Sequence, residues 1–144
     1  MPKAYASVVL DRSAEDVWAT IRDFNALPEW HPDIAESRIE EGKSSDQVGC
    51  IRSFSTNDGD HIRERLLELS DLRRSYTYNF ETTPFDVENY LATLQVTPIT
   101  ETGGAFVEWW ATFDCHRAES AEWIQKFSGG VFATGFRGIV AACL

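Results

Sequence analysis

Between Ile34 and Asp114 the sequence breaks into six short strand-like segments, at 34–40, 48–55, 61–69, 75–80, 90–97 and 106–114. Turn-forming residues separate them, and Asn57-Asp58-Gly59 is the sharpest hairpin signal. Links this short cannot carry the crossover that parallel neighbours require, so the segments must form an antiparallel meander. A valine-rich strand at 4–10 precedes them and ends at Asp11.

Helical signals flank the meander. Ser13 can cap a helix whose first turn holds Glu15 and Asp16, where acidic groups favour the positive end of the dipole. Val17, Trp18 and Ile21 form its apolar face. A second short helix is expected over 24–30, with Pro28 suited to a first turn. His31-Pro32 closes it, because a residue before proline is pushed out of helical geometry. The last segment, 119–143, returns to helical period. Trp123, Phe127, Val131, Gly135 and Ile139 fall four apart on one face, widened by Ile124, Phe132, Phe136 and Val140. The order is strand, two short helices, six strands and one long helix. This is an α+β chain read as a single domain over 1–144, with no internal repeat or linker.

Composition narrows the partners. A net charge of -10 argues against nucleic acid and anionic lipid headgroups, which need a positive footprint. Cys50, Cys115 and Cys143 are scattered, lack metal-ligand spacing and read as reduced thiols. The apolar run within 1–12 is too short for a signal peptide, and no stretch approaches the roughly 20 apolar residues that span a bilayer. The expectation is a cytoplasmic protein without membrane insertion, a monomer or a weak homodimer.

A curled sheet needs an apolar cover on its concave side, and only the last helix is long enough to provide it. That helix carries Gly129, Gly130, Gly135 and Gly138. Two readings stay open: the glycines leave room for a ligand, or they permit close helix–sheet packing or a kink at Gly129-Gly130. On the strands, Tyr76, Tyr78 and Phe80 share one face. So do Ile62, Glu64 and Leu66, and so do Glu108, Trp110 and Thr112. With the aromatic faces inward, Glu64 and Glu108 are expected inside, where a carboxylate must be hydrogen-bonded, hydrated or paired with a base such as Arg52. An aromatic concavity with a few polar groups is the usual construction of a small-molecule site. A bulge that shifts parity would turn both glutamates to water.

These elements and several local strings resemble the START-like (helix-grip, SRPBCC) superfamily over nearly the whole chain. The strings are Ser13-Ala14-Glu15-Asp16-Val17-Trp18, Val48-Gly49-Cys50 followed by Arg52, Glu64-Arg65-Leu66 followed by Asp71 and Arg73-Arg74, and Asn89-Tyr90. The chain is most similar to bacterial polyketide cyclase/dehydrase-like members, and more distantly to plant abscisic-acid receptors and birch-pollen allergens. The resemblance implies a seven-stranded sheet gripping the C-terminal helix around a cavity, with no cofactor. It implies that Glu64 is a polar pocket residue and that Tyr78 and Phe80 line the wall. Phe85, Asp86 and Val87 would form a loop at the mouth, with Tyr90 just beyond it. Glu108 would be a second polar wall residue. Phe127, Val131, Phe132 and Gly135 would be the helix face over the ligand. The receptors' lysine for a ligand carboxylate is replaced by Ala35, and their gate loop by the segment from Thr56 to Asp60. A hormone-receptor role is therefore not expected.

No phosphate loop, zinc spacing or nucleophile elbow is present. Candidate catalytic groups are Glu64, Glu108 and His31, since a desolvated carboxyl or a histidine at the mouth can shuttle a proton. Trp109 and Trp110 are adjacent, so one faces in and the other out. The leading expectation is a binder of a small hydrophobic or aromatic molecule, polyketide-, sterol- or lipid-like. The candidate contacts are Glu64, Tyr78, Phe80, Phe85, Val87, Tyr90, Glu108, Trp110, Phe127, Val131, Phe132 and Gly135. The alternatives are a cofactor-free cyclase or dehydratase, and an interaction module whose own side chains fill the cavity.

Overall fold

A computed structural model describes all 144 residues. Strand β1 (Lys3–Leu10) leads into helix α1 (Ala14–Ile21), where Ser13 Oγ accepts the Asp16 N–H at 3.1 Å. The buried face of α1 is Ala14, Val17, Trp18 and Ile21. Helix α2 is shorter than expected, Leu27–Trp30, because Asp23 first bends the chain by accepting the Asn25 N–H. Pro28 sits in its first turn, and His31 ends it in extended geometry.

Six strands follow: β2 (Ile34–Ile39), β3 (Ile51–Thr56), β4 (His61–Ser70), β5 (Ser75–Thr82), β6 (Glu88–Pro98) and β7 (Ala105–Asp114). Strand β3 begins three residues later than expected. Gly49 takes φ +96°, which breaks extended backbone, and Val48 is 58% exposed. All neighbours pair antiparallel in one seven-stranded sheet of order β1-β7-β6-β5-β4-β3-β2. The meander runs β2 to β7, and β1 joins the far edge against β7. No helix is long and apolar enough to cross a membrane.

The C-terminal helix, residues 117–142, lies across the concave face. It is not uniform. Ser120–Gln125 is α-helical, Lys126–Ala133 is π-helical, and Thr134–Ala142 is α-helical again. Gly129 and Gly130 fall inside the widened turn, where weak helix formers tolerate altered backbone bonding. Ser128 Oγ donates to Ile124 O just before the widened turn, and Thr134 Oγ1 to Gly129 O within it, so side chains take up carbonyls at both places.

The other two glycines answer the open question differently. A Cβ on Gly138 would stand 1.7 Å from the Trp30 carbonyl oxygen. A Cβ on Gly135 would stand 2.7 Å from the Trp109 ring and 2.9 Å from His31. Both glycines let the helix press against α2 and β7, and neither leaves a void. Around Gly130 the space is open.

Candidate functional site

Strand parity decides which side chains reach the concave face. On β7 the buried set is Ala105, Val107, Trp109, Ala111 and Phe113. Glu108 and Trp110 therefore point to the outer face, contrary to expectation. Glu108 accepts a hydrogen bond from Tyr5 Oη at 2.9 Å there, and Lys3 Nζ lies 5.9 Å from the Trp110 ring centre. The reason is thermodynamic: the all-apolar register buries more apolar surface than the register holding Glu108 and Thr112.

On β4 the parity is the expected one. Ile62, Glu64 and Leu66 are buried; the register shift between Arg63 and Glu64 places its extra residue, Glu81, on β5, and the bulge on β4 itself follows Leu66. Glu64 is 5% exposed and faces Arg52 on β3, its direct cross-strand neighbour. Arg52 Nε donates to Glu64 Oε1 at 2.8 Å, and Arg52 Nη2 lies 2.7 Å from the same oxygen. Arg52 Nη1 donates to the Phe24 carbonyl at 3.0 Å. The guanidinium lies 3.9 Å from the Phe24 ring centre and 4.8 Å from that of Tyr78. Burial pulls the Arg52 pKa down, but the Glu64 charge and the phenols of Tyr76 and Tyr78 outweigh it, and Arg52 stays charged. Burial pushes Glu64 up, and Arg52 opposes that rise. Because both Arg52 contacts fall on Oε1, Glu64 Oε2 has no protein partner.

A cavity of about 150 Å³ opens beside this pair, between the sheet and the helix. Its inner wall includes Tyr78, Tyr90 and Trp109. Trp109 Nε1 donates to Tyr78 Oη at 3.0 Å, which orients that phenol. Burial holds the Tyr78 and Tyr90 hydroxyls well above the usual phenol range, so both are neutral. Phe80 stacks on Tyr90 at 3.9 Å between centroids, and Phe127 packs on Phe85 at 5.8 Å and on Trp123 at 5.6 Å. These rings fill the end beneath the β5–β6 loop and keep the cavity small. Gly130 and Val131 of the π-helical turn complete the cover.

His31 also lines the cavity. Its Nδ1 accepts the Asp33 N–H at 3.2 Å, so the ring proton sits on Nε2 and is donated to Val131 O at 2.9 Å. His31 thus pins the π-helical turn to the end of α2. Burial pushes its pKa below the ordinary histidine value, against the pull of the Val131 carbonyl. The other histidines lie apart: His61 Nε2 pairs with Ser53 Oγ at 3.0 Å, and His116 is exposed.

Of the expected contacts, Glu64, Tyr78, Phe80, Phe85, Tyr90, Phe127 and Val131 converge on the cavity, together with His31. Phe132 does not: it stacks on Trp109 at 4.6 Å, beneath the cavity wall. Gly135 lies against Trp30, His31 and Trp109, and Val87 is half-buried against the core and lines a separate recess with Asn79, Thr83 and Asn89. Trp109 and the mouth aspartates Asp33, Asp58 and Asp60 were not foreseen. The apolar count along β7 was the available signal for Trp109. Nothing in the sequence brings Asp33 beside the β3–β4 turn.

The whole chain, residues 1–144, matches the family model described as polyketide cyclase / dehydrase and lipid transport. Solved structures agree. The XoxI protein of Bacillus cereus is 37% identical over 99% of this chain and 95% of its own, with a TM-score of 0.87. An uncharacterized protein of Bacillus thuringiensis is 35% identical over 98% of both chains, with a TM-score of 0.85. A Thermobifida fusca protein is 30% identical over 99% of this chain and 93% of its own, with a TM-score of 0.89. By full-length match and by shared architecture, the chain belongs to the polyketide cyclase / dehydrase and lipid transport family.

Proposed function

We propose that this protein binds a small, largely apolar molecule of about one ring in the cavity between the sheet and the C-terminal helix. The observation that carries this is a carboxylate oxygen with no partner, Glu64 Oε2, set in an aromatic-walled cavity of about 150 Å³. An apolar cavity of about this volume is known to take benzene. Burial of the ring supplies the affinity, and Glu64, Tyr78 and Tyr90 set orientation through one or two hydrogen bonds. A sterol or a long acyl chain would need the Phe85–Phe127–Trp123 cluster to move aside. Native mass spectrometry followed by denaturing extraction identifies any co-purified ligand. Titration with indole, followed by amide and indole NMR shifts, tests the site directly. Shifts at Tyr78, Tyr90 and Trp109 with none at Trp110 support it; shifts confined to the outer face of β7 would sink it.

A second reading, a cofactor-free cyclase or dehydratase, draws on the same oxygen. An ionised Glu64 held by Arg52 leaves Oε2 free to accept a proton from a bound hydroxyl or acidic C–H, and the neutral phenols stand ready to stabilise the oxyanion that results. Incubating the co-purified ligand with protein in D2O separates the two. Deuterium gain at a specific carbon supports catalysis, and an unlabelled ligand supports binding alone.

A further inference from the structure

The mouth of the cavity carries three aspartates against one lysine, and the arginine inside is fully partnered. Asp33 follows α2, and Asp58 and Asp60 lie on the β3–β4 turn; all of them are exposed, line the opening and make no ion pair. They are held on one rim. Asn57 N donates to Asp33 O, and Asn57 Nδ2 to Pro32 O, each at 2.9 Å, tying the turn to the segment after α2. Lys126 is the one cation at the rim, with Nζ 4.9 Å from the Phe85 ring centre. Inside, Arg52 has a partner on each of its nitrogens, whereas Glu64, nine-tenths buried and lining the cavity, keeps Oε2 without a partner. The interior thus offers a spare acceptor and aromatic faces that favour a cation, but no spare cation.

We infer that the site selects a small cyclic or aromatic amine, its ring in the cavity and its ammonium at the Asp33–Asp58–Asp60 rim, and that it disfavours carboxylates. This rests on the binding reading above and adds the sign of the ligand's charge. Fixed carboxylates at a low-dielectric opening focus a negative potential, and the chain's net charge of -10 reinforces it. An anion would meet three rim carboxylates and Glu64, with Lys126 as the single unpaired cation to offset them and no free guanidinium inside.

Benzylamine, benzyl alcohol and benzoate share one ring and differ in charge. Titrated at low salt and followed by NMR shifts at Tyr78 and Trp109, benzylamine should bind about tenfold more tightly than benzoate, with benzyl alcohol between them. The ratio should fall toward unity at about 1 M salt, where screening acts within about 3 Å. It should also fall in the triple variant Asp33→Asn, Asp58→Asn, Asp60→Asn, which keeps size and turn chemistry. If benzyl alcohol binds but benzylamine and benzoate bind equally, the charge selection is overturned and the cavity reading survives. If none of the three shifts the cavity residues, both fall.

Discussion

Removing one partner of the Arg52–Glu64 pair should unfold the protein far more readily than removing both. Glu64→Leu leaves the Arg52 guanidinium buried and uncompensated, among the rings of Phe24 and Tyr78. Breaking a buried pair in this way costs about 3–5 kcal/mol. At roughly 3–4 °C per kcal/mol for a chain of this size, Tm should drop by about 10–20 °C. Arg52→Met should cost at least as much, because it also orphans the Phe24 carbonyl that Nη1 serves. In the double variant Arg52→Met, Glu64→Leu no charge remains buried. Only the orphaned carbonyl and imperfect packing remain, at about 1–3 kcal/mol. The double-mutant cycle should therefore return a coupling of about 3 kcal/mol or more. Urea and thermal melts followed by circular dichroism measure all four proteins. A double variant whose loss equals the sum of the single losses would refute the reasoning, since it would mean that the two charges are solvated independently. The same physics shows why Glu64→Gln cannot serve alone as a catalytic test: it removes the proton acceptor and the counter-charge together.

The glycines of the C-terminal helix should separate by position. Gly138→Ala should destabilise by about 2 kcal/mol or more despite the gain in helix propensity, because its Cβ meets the Trp30 backbone and α2 must shift; a variant as stable as the parent in urea melts would contradict that packing. Gly130→Leu, at the open cavity cover, should leave Tm within about 3 °C of the parent while weakening indole binding at least about tenfold, as read by NMR titration; unchanged affinity would misplace the mouth. His31 supplies a pH prediction. Its folded pKa lies below the ordinary value of about 6.5, so the unfolded chain takes up the proton first, and the contribution present above about pH 6.5 is lost as pH falls below it. The stability difference between parent and His31→Gln should therefore shrink between about pH 7 and 5, and a constant difference across that range would count against a buried neutral imidazole.

Legibility in the sequence followed locality. The Ser13 cap, the Pro28 turn, the Asn57-Asp58-Gly59 hairpin and the short links are local signals, and each forms as expected. The position of Glu64 was also within reach, because β4 alternates regularly from Ile62 to Leu66 and its own bulge follows Leu66. Strand β7 misled, since Glu108 and Trp110 resemble pocket residues when taken singly, and only the sum of apolar residues on the alternate face settles the register. The glycines left two readings open for a related reason. A missing side chain marks either a void or a close approach, and which one depends on a partner far away in sequence.

The amino-acid sequence by itself therefore determined the element order, the antiparallel meander and the long covering helix, because periodicity, capping and link length act over a few residues. The tertiary structure alone decided that Arg52 and Glu64 neutralise each other inside. It alone decided that Gly135 and Gly138 close space while Gly130 leaves it open, and that Asp33 shares a rim with Asp58 and Asp60. Those outcomes depend on distances between elements. Such distances come from the packing of the whole core, which no single stretch of the chain encodes.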